Sequence, residues 1–170
     1  SSIDIMNDAL KLNSRNVAFL NNMGTTYHKM SKFDDSEKQF LKALEVNPNY
    51  INALNNLANL KKDLNFIDDA IDLYKKSISI NSNLLDVHFN LAGIYQSLGD
   101  YDQCKIHLEK ILELNPDFTQ ADRMIANITK YKKDDPHFKK MLEKIENPKL
   151  KDNQLLQLYF GLGKSFEDIK

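Results

Sequence analysis

The stretch Leu20-Asn-Asn-Met23-Gly24-Thr-Thr-Tyr27 returns as Leu54-Asn-Asn-Leu57-Ala58-Asn-Leu-Lys61 and again as His88-Phe-Asn-Leu91-Ala92-Gly-Ile-Tyr95, each copy 34 residues after the last. A weaker fourth copy, Asp122 to Thr129 with Ile125-Ala126, keeps the same step. Leu20, Met23, Gly24 and Tyr27 fall at i, i+3, i+4 and i+7, one apolar stripe of 3.6-residue period, so the stretch reads as an amphipathic helix. A second set of motifs holds the same pitch: Phe40-Leu-Lys-Ala43, Tyr74-Lys-Lys-Ser77, Leu108-Glu-Lys-Ile111 and Leu142-Glu-Lys-Ile145. The repeating unit is therefore a pair of helices. A unit of that size has no complete core of its own and must be stabilised by stacking on its neighbours.

Small residues recur where two helices would have to approach closely. In the first helices these are Gly24, Ala58, Ala92 and Ala126, and in the second helices Ser36, Ala70 and Cys104, set opposite the bulky Phe40, Tyr74 and Leu108. Boundaries are marked as well. Asp34, Asp68 and Asp102 are expected to cap the second helices, with Glu37 completing an Asp-x-x-Glu capping box. Asn49, Asn83 and Asp117 are expected to do the same for the first helices, and Pro48 and Pro116 to close the preceding ones.

The 170 residues are 42% hydrophobic and 28% charged, the balance of a folded, soluble protein, with a formal net charge of -1 and acids and bases interspersed. No global field would draw the chain onto nucleic acid or an anionic membrane. Apolar runs such as Leu84-Leu85 and Leu155-Leu156 are broken far short of the roughly 20 residues that span a bilayer. A single cysteine excludes an internal disulfide framework and favours a reducing, cytoplasmic compartment. Five glycines, four prolines and no tryptophan leave little material for turn-rich β structure.

The paired motifs resemble the tetratricopeptide repeat, whose first helix carries a bulky-x-x-Leu-Gly-x-x-Tyr signature and whose second carries Ala-x-x-x-Phe, a later Ala and a terminal Pro. The resemblance implies an all-α fold, an α-solenoid of antiparallel helix pairs wound as a right-handed superhelix, here with about ten helices. Departures are local: Leu20, Leu54 and His88 stand for the usual Trp, Lys61 and Thr129 for Tyr, and Ser82 for Pro. The expected layout is a single domain over residues 1–170. It holds a half repeat at 1–16, with Ile3 to Leu12 as the second helix of an earlier unit, then repeats at 17–50, 51–84 and 85–118, a divergent repeat at 119–152 and a half repeat at 153–170. In that last half, Leu162-Gly163-x-x-Phe166 reads as another first helix displaced by 37 residues from Ile125-Ala126, so an insertion of three is expected around Asn147 to Asp152. Half repeats at both ends make the chain read as a fragment of a longer one.

In the family that this chain resembles, the first helices line a concave face that holds an extended peptide or a partner helix. With Val17, Ile51, Leu85 and Thr119 opening each frame, the sixth position carries Asn22, Asn56, Asn90 and then Met124. The series resembles the asparagine ladder of the repeat region of O-linked N-acetylglucosamine transferases. A carboxamide offers a donor and an acceptor together, so a ladder of them can grip a peptide backbone without reading its sequence. Asn21, Asn52, Asn55, Asn59 and Asn127 fall on or near the same face. The competing reading makes these asparagines bridges between adjacent repeats. The carboxylate clamp of related repeats is represented only by its Asn component, since its basic positions carry Asn21, Asp86 and Asn90. Lys62, Lys130 and Lys164 lie toward one rim and read as solvated lysines.

The reading is therefore of a protein or peptide partner, with no nucleic acid, no membrane, no cofactor and no metal, and with dimerisation through exposed terminal repeats as the structural alternative. His28, His88, His107 and His137 lack metal-ligand spacing, no phosphate-binding loop or serine elbow occurs, and Cys104 aligns with Ser36 and Ala70 as a packing residue. No catalytic constellation is expected within these residues. Asp135-Pro136-His137 with Met141-Leu142-Glu143, and then Leu158-Tyr-Phe160-Gly-Leu162-Gly163-Lys164-Ser-Phe166-Glu167-Asp168, resemble the end of the repeat region in bacterial proteins that carry a sulfotransferase domain downstream. That resemblance implies the substrate-presenting arm of such an enzyme, with a glycosyltransferase as the alternative catalytic partner.

Overall fold

The computed structural model describes residues 15–170. Among them are nine α-helices and no strand: α1 (Val17–Lys29), α2 (Phe33–Val46), α3 (Ile51–Asp63), α4 (Ile67–Ile80), α5 (Leu85–Leu98), α6 (Tyr101–Leu114), α7 (Thr119–Ile128), α8 (Pro136–Lys144) and α9 (Asp152–Ile169). The helix expected at Ile3 to Leu12 lies outside the described residues. The chain divides into two compact units, residues 1–87 and 88–170.

In the first unit the small-against-large pairing takes the form of direct contact. Gly24 of α1 lies against the Phe40 ring of α2, and a Cβ placed there would come 2.5 Å from it. Ser36, one turn before Phe40, is fully buried and its hydroxyl donates to the Gly24 carbonyl at 2.8 Å. Phe40 then packs with Leu57 and Leu60 of α3, while Leu20, Ala43 and Ala53 form a companion cluster. Burying a side chain such as Phe40 contributes about 2–3 kcal/mol, and each cluster draws on three successive helices. Cys104 in the second unit is likewise fully buried, and burial pushes its thiol pKa up, which suits packing and opposes nucleophilic chemistry.

The caps differ from expectation. The second helices begin two residues earlier than expected, at Phe33, Ile67 and Tyr101, so Asp34, Asp68 and Asp102 lie in the first turn, where they meet the positive end of the helix dipole rather than capping it. The N-caps are Lys32, Phe66 and Asp100, and of these Asp100 supplies a side-chain bond, accepting from the Gln103 amide at 3.1 Å. Glu37 makes no capping box; it pairs with Lys61 of α3 at 2.7 Å. For the first helices, α3 and α7 are capped by Tyr50 and Phe118 in place of Asn49 and Asp117. The side-chain work passes to the residues two earlier: Asn47, Asn81 and Asn115 each accept the backbone N–H two residues on, those of Asn49, Asn83 and Asp117, at 3.0, 3.0 and 3.2 Å. Asn147 repeats the turn with Lys149 at 3.1 Å. Within the helix pairs, Ser31, Asn65 and Gly99 occupy equivalent turn positions with φ of 58°, 64° and 77°, a left-handed conformation that glycine and asparagine adopt at little cost and serine does not.

The fourth repeat departs most. The first helices open at Val17, Ile51, Leu85, Thr119 and Asp152, steps of 34, 34, 34 and 33, so no three-residue insertion precedes α9. Instead α9 runs to 18 residues and lies parallel to α7: Gln154 Nε2 donates to the Asp117 carbonyl at 2.8 Å, Arg123 donates to Gln157 at 3.1 Å, and the Tyr131 N–H donates to Asp168 at 3.2 Å. Close approach is through Gly161, whose added Cβ would meet Met141 Sδ at 3.2 Å and the Ala126 Cβ at 3.4 Å. Gly163, the expected small residue, has nothing within 4 Å of such a Cβ among the described residues.

Candidate functional site

Asn21 and Asn56 are linked. Asn56 Nδ2, on α3, donates to Asn21 Oδ1 on α1 at 2.8 Å and to Thr25 Oγ1 at 3.3 Å, and the Thr25 hydroxyl donates back to the Asn21 carbonyl at 3.1 Å. Asn21 is buried, so the bond joins the first helices of two adjacent repeats from below. Above it, Thr25, Asn56 and Asn59, with His28, Lys62 and Asp63, line a hollow of about 300 Å³. Asn59 accepts from the Tyr74 hydroxyl, and His28 faces Asp63 at 3.1 Å. Both amide protons of Asn56 are committed, so what it offers to the hollow is its carbonyl oxygen, an acceptor for a ligand N–H.

The remaining expected residues are dispersed. Asn22 stands exposed on α1, and Asn52 is exposed with its amide 3.4 Å from the Tyr50 hydroxyl. Asn55 is half-buried, with a buried Oδ1 that has no hydrogen-bond partner. Asn90 is half-buried in the second unit, and Asn127 is exposed at the end of α7. The structure thus brings Asn21, Asn56 and Asn59 together.

A second polar site was not legible in the sequence. At the position where Leu20 and Leu54 fill the core, the third repeat carries His88 and the fourth Asp122. His88 and His107 are buried with their Nδ1 atoms 2.9 Å apart, and His107 stacks on Tyr95. Asp122 is fully buried; its carboxylate accepts from Lys144 Nζ at 2.6 Å and lies 3.2 Å from His137 Nε2, while His137 Nδ1 is 2.6 Å from the Tyr131 hydroxyl. Tyr131 is itself buried, and burial with Asp135 nearby pushes its phenol pKa above the ordinary range, so the chain of groups holds no exposed nucleophile. Beside this cluster, between α6 and α8, opens a groove of about 840 Å³. No group of three or more His, Cys, Asp or Glu suited to a metal ion occurs among the described residues.

Two models of the tetratricopeptide repeat match the sequence, at residues 17–50 and 67–128, together more than half of the chain. The chain belongs to the tetratricopeptide repeat family. No curated protein matches it. The crystal structure of YrrB, described as a TPR protein with an unusual peptide-binding site, is similar with a TM-score of 0.73 and 16% identity, over 95% of this chain and 82% of that one. A crystal structure of MamA protein gives 0.68 and 21%, over 97% and 81%. The first TPR of Spaghetti (RPAP3), bound to the HSP90 peptide SRMEEVD, gives 0.61 and 20%, over 68% and 94%. At these identities the likeness establishes the fold. Among the described residues no helix of this tetratricopeptide-repeat chain is long and apolar enough to cross a membrane.

Proposed function

We propose that this chain is a protein-interaction scaffold that holds an extended peptide against its first helices, with the asparagines of the repeat frame contacting the ligand backbone. The observation that carries the reading is Asn56, fixed by Asn21 and Thr25 at the edge of a polar hollow with its carbonyl oxygen uncommitted. Pre-organisation of this kind lowers the ordering cost of binding, because the acceptor is already aimed before a peptide N–H arrives. YrrB and Spaghetti, whose descriptions name a peptide-binding site and a bound peptide, support the reading by analogy of fold. The bridging reading and the ligand reading are compatible for Asn56: its amide bridges repeats and its oxygen serves the ligand.

The test is capture from native lysate by the wild type beside the Asn22→Ala, Asn56→Ala, Asn90→Ala triple variant, with the captured proteins identified by mass spectrometry. Loss of a defined set of proteins in a variant that still melts cooperatively supports the face as a peptide groove. Identical capture overturns the ladder.

A finer version takes the chain as the substrate-presenting arm of a sulfotransferase. It rests on the run from Leu158 to Asp168 in α9, part of which, Lys164 with Asp168, anchors the Tyr131 amide. The reading frame beyond Lys170 decides it: a downstream phosphate-binding loop supports the arm, and its absence removes it.

A further inference from the structure

The groove between α6 and α8 lies within the second unit and is separate from the asparagine hollow. Its α6 wall is Lys105, Glu109, Leu112 and Glu113, spaced as one helical stripe, and its α8 wall is a matching stripe through His137, Lys140, Glu143 and Lys144. The floor is apolar, made by Leu112 and Ile125, and Pro116, just past the end of α6, and Pro136, at the start of α8, complete the apolar lining.

The cluster beneath explains why the groove is open. Where Leu20 packs its own repeat together, Asp122 instead reaches Lys144 and His137, and these long polar side chains span from α7 to α8. A buried ion pair of this kind is costly compared with an apolar contact of the same volume. A cost retained beside a groove points to use of that groove.

We propose that this groove is a second docking site, for a short amphipathic helix that sets an apolar stripe on Leu112 and Ile125 and flanks it with lysine or arginine. Charge selects the occupant. The lining holds five carboxylates, Glu109, Glu113, Asp122, Asp135 and Glu143, against three ammonium groups. Asp122 and Asp135 are engaged within the protein, the latter by the backbone amides of His137 and Phe138. Glu109, Glu113 and Glu143 are exposed on the rim, the first two in surface ion pairs with Lys105 at 3.9 Å and Lys110 at 2.8 Å that the basic side chains of a ligand can exchange. The stripe from Lys105 to Leu112 is about 10 Å long, two helical turns, which matches a groove-bound helix read at i, i+4 and i+7.

The experiment is titration of the full chain with three amidated helical peptides: leucine–lysine, leucine–glutamate and alanine–lysine. The proposal expects the leucine–lysine peptide to bind, the other two to bind at least about tenfold more weakly, and Glu109→Gln with Glu113→Gln and Glu143→Gln to weaken the first by about tenfold. These three side chains are exposed and their ion pairs are surface ones, so the fold does not depend on them. Neutralising three exposed carboxylates outside the lining, Glu45, Asp72 and Glu167, leaves the affinity unchanged, as does the Asn22, Asn56, Asn90 triple alanine variant. Equal weakening by the distant set, or equal binding of alanine–lysine, reduces the effect to diffuse charge and overturns the site. Unchanged affinity in the groove variant does the same.

Discussion

At the level of single residues, the two kinds of buried contact respond differently to substitution. Gly24→Ala drives a methyl group into the Phe40 ring, and thermal unfolding is expected to register a loss of about 1–3 kcal/mol. Asp122→Ala leaves Lys144 and His137 without their carboxylate and is expected to cost about 3 kcal/mol. The double change Asp122→Leu, Lys144→Met is expected to recover at least half of that loss, because the whole pair is replaced by apolar volume. A double variant as unstable as the single one contradicts this account. Gly24 was legible in the sequence because a small residue repeats at a fixed pitch. Asp122 was not, because a carboxylate in the fourth copy of a motif looks like a surface substitution until α8 is seen to bring it Lys144. The asparagines were legible as a series but not as a site, since only the pairing of Asn56 with Asn21 and Thr25 tells which atom is left for a ligand.

At the level of elements, the turns and helix ends carry most of what the sequence concealed. The 34-residue pitch located α1 to α8, whereas the expected insertion misplaced the start of α9, and Asp34, Asp68 and Asp102 misplaced the caps because the second helices begin two residues early, at Phe33, Ile67 and Tyr101. Ser31 holds the left-handed turn that Gly99 holds in the third repeat, so Ser31→Gly is expected to raise stability by about 0.5 kcal/mol in denaturant melts. The phenols of Tyr74, in α4, and Tyr131, before α8, are raised above the ordinary value of 10.0, chiefly by burial and then by Asp63 and Asp135. Protons are then held more tightly in the native state than in the unfolded one. The stability they support is complete below about pH 10 and falls as the pH climbs past it, where unfolded phenols ionise and the native ones do not. Tyr74→Phe with Tyr131→Phe is expected to shift the alkaline unfolding transition, followed by circular dichroism, to higher pH; a transition that stays put or moves down sinks the assignment.

At the level of the whole molecule, repeats pass stability only to their neighbours. Gly24→Ala is therefore expected to speed hydrogen exchange across α1 to α3 while leaving α7 to α9 nearly untouched, and uniform acceleration throughout would mean a single cooperative block. The four turn asparagines also give the molecule an uneven chemical lifetime. Deamidation proceeds when the next residue's backbone nitrogen attacks the asparagine side chain to close a succinimide. In Asn47, Asn115 and Asn147 that nitrogen belongs to Pro48, Pro116 and Pro148 and has no proton to give up, whereas Asn81 is followed by Ser82. Of these four turns, the one between α4 and α5 is where an ageing sample acquires isoaspartate first, losing the acceptor that shapes the turn and gaining a methylene in the backbone.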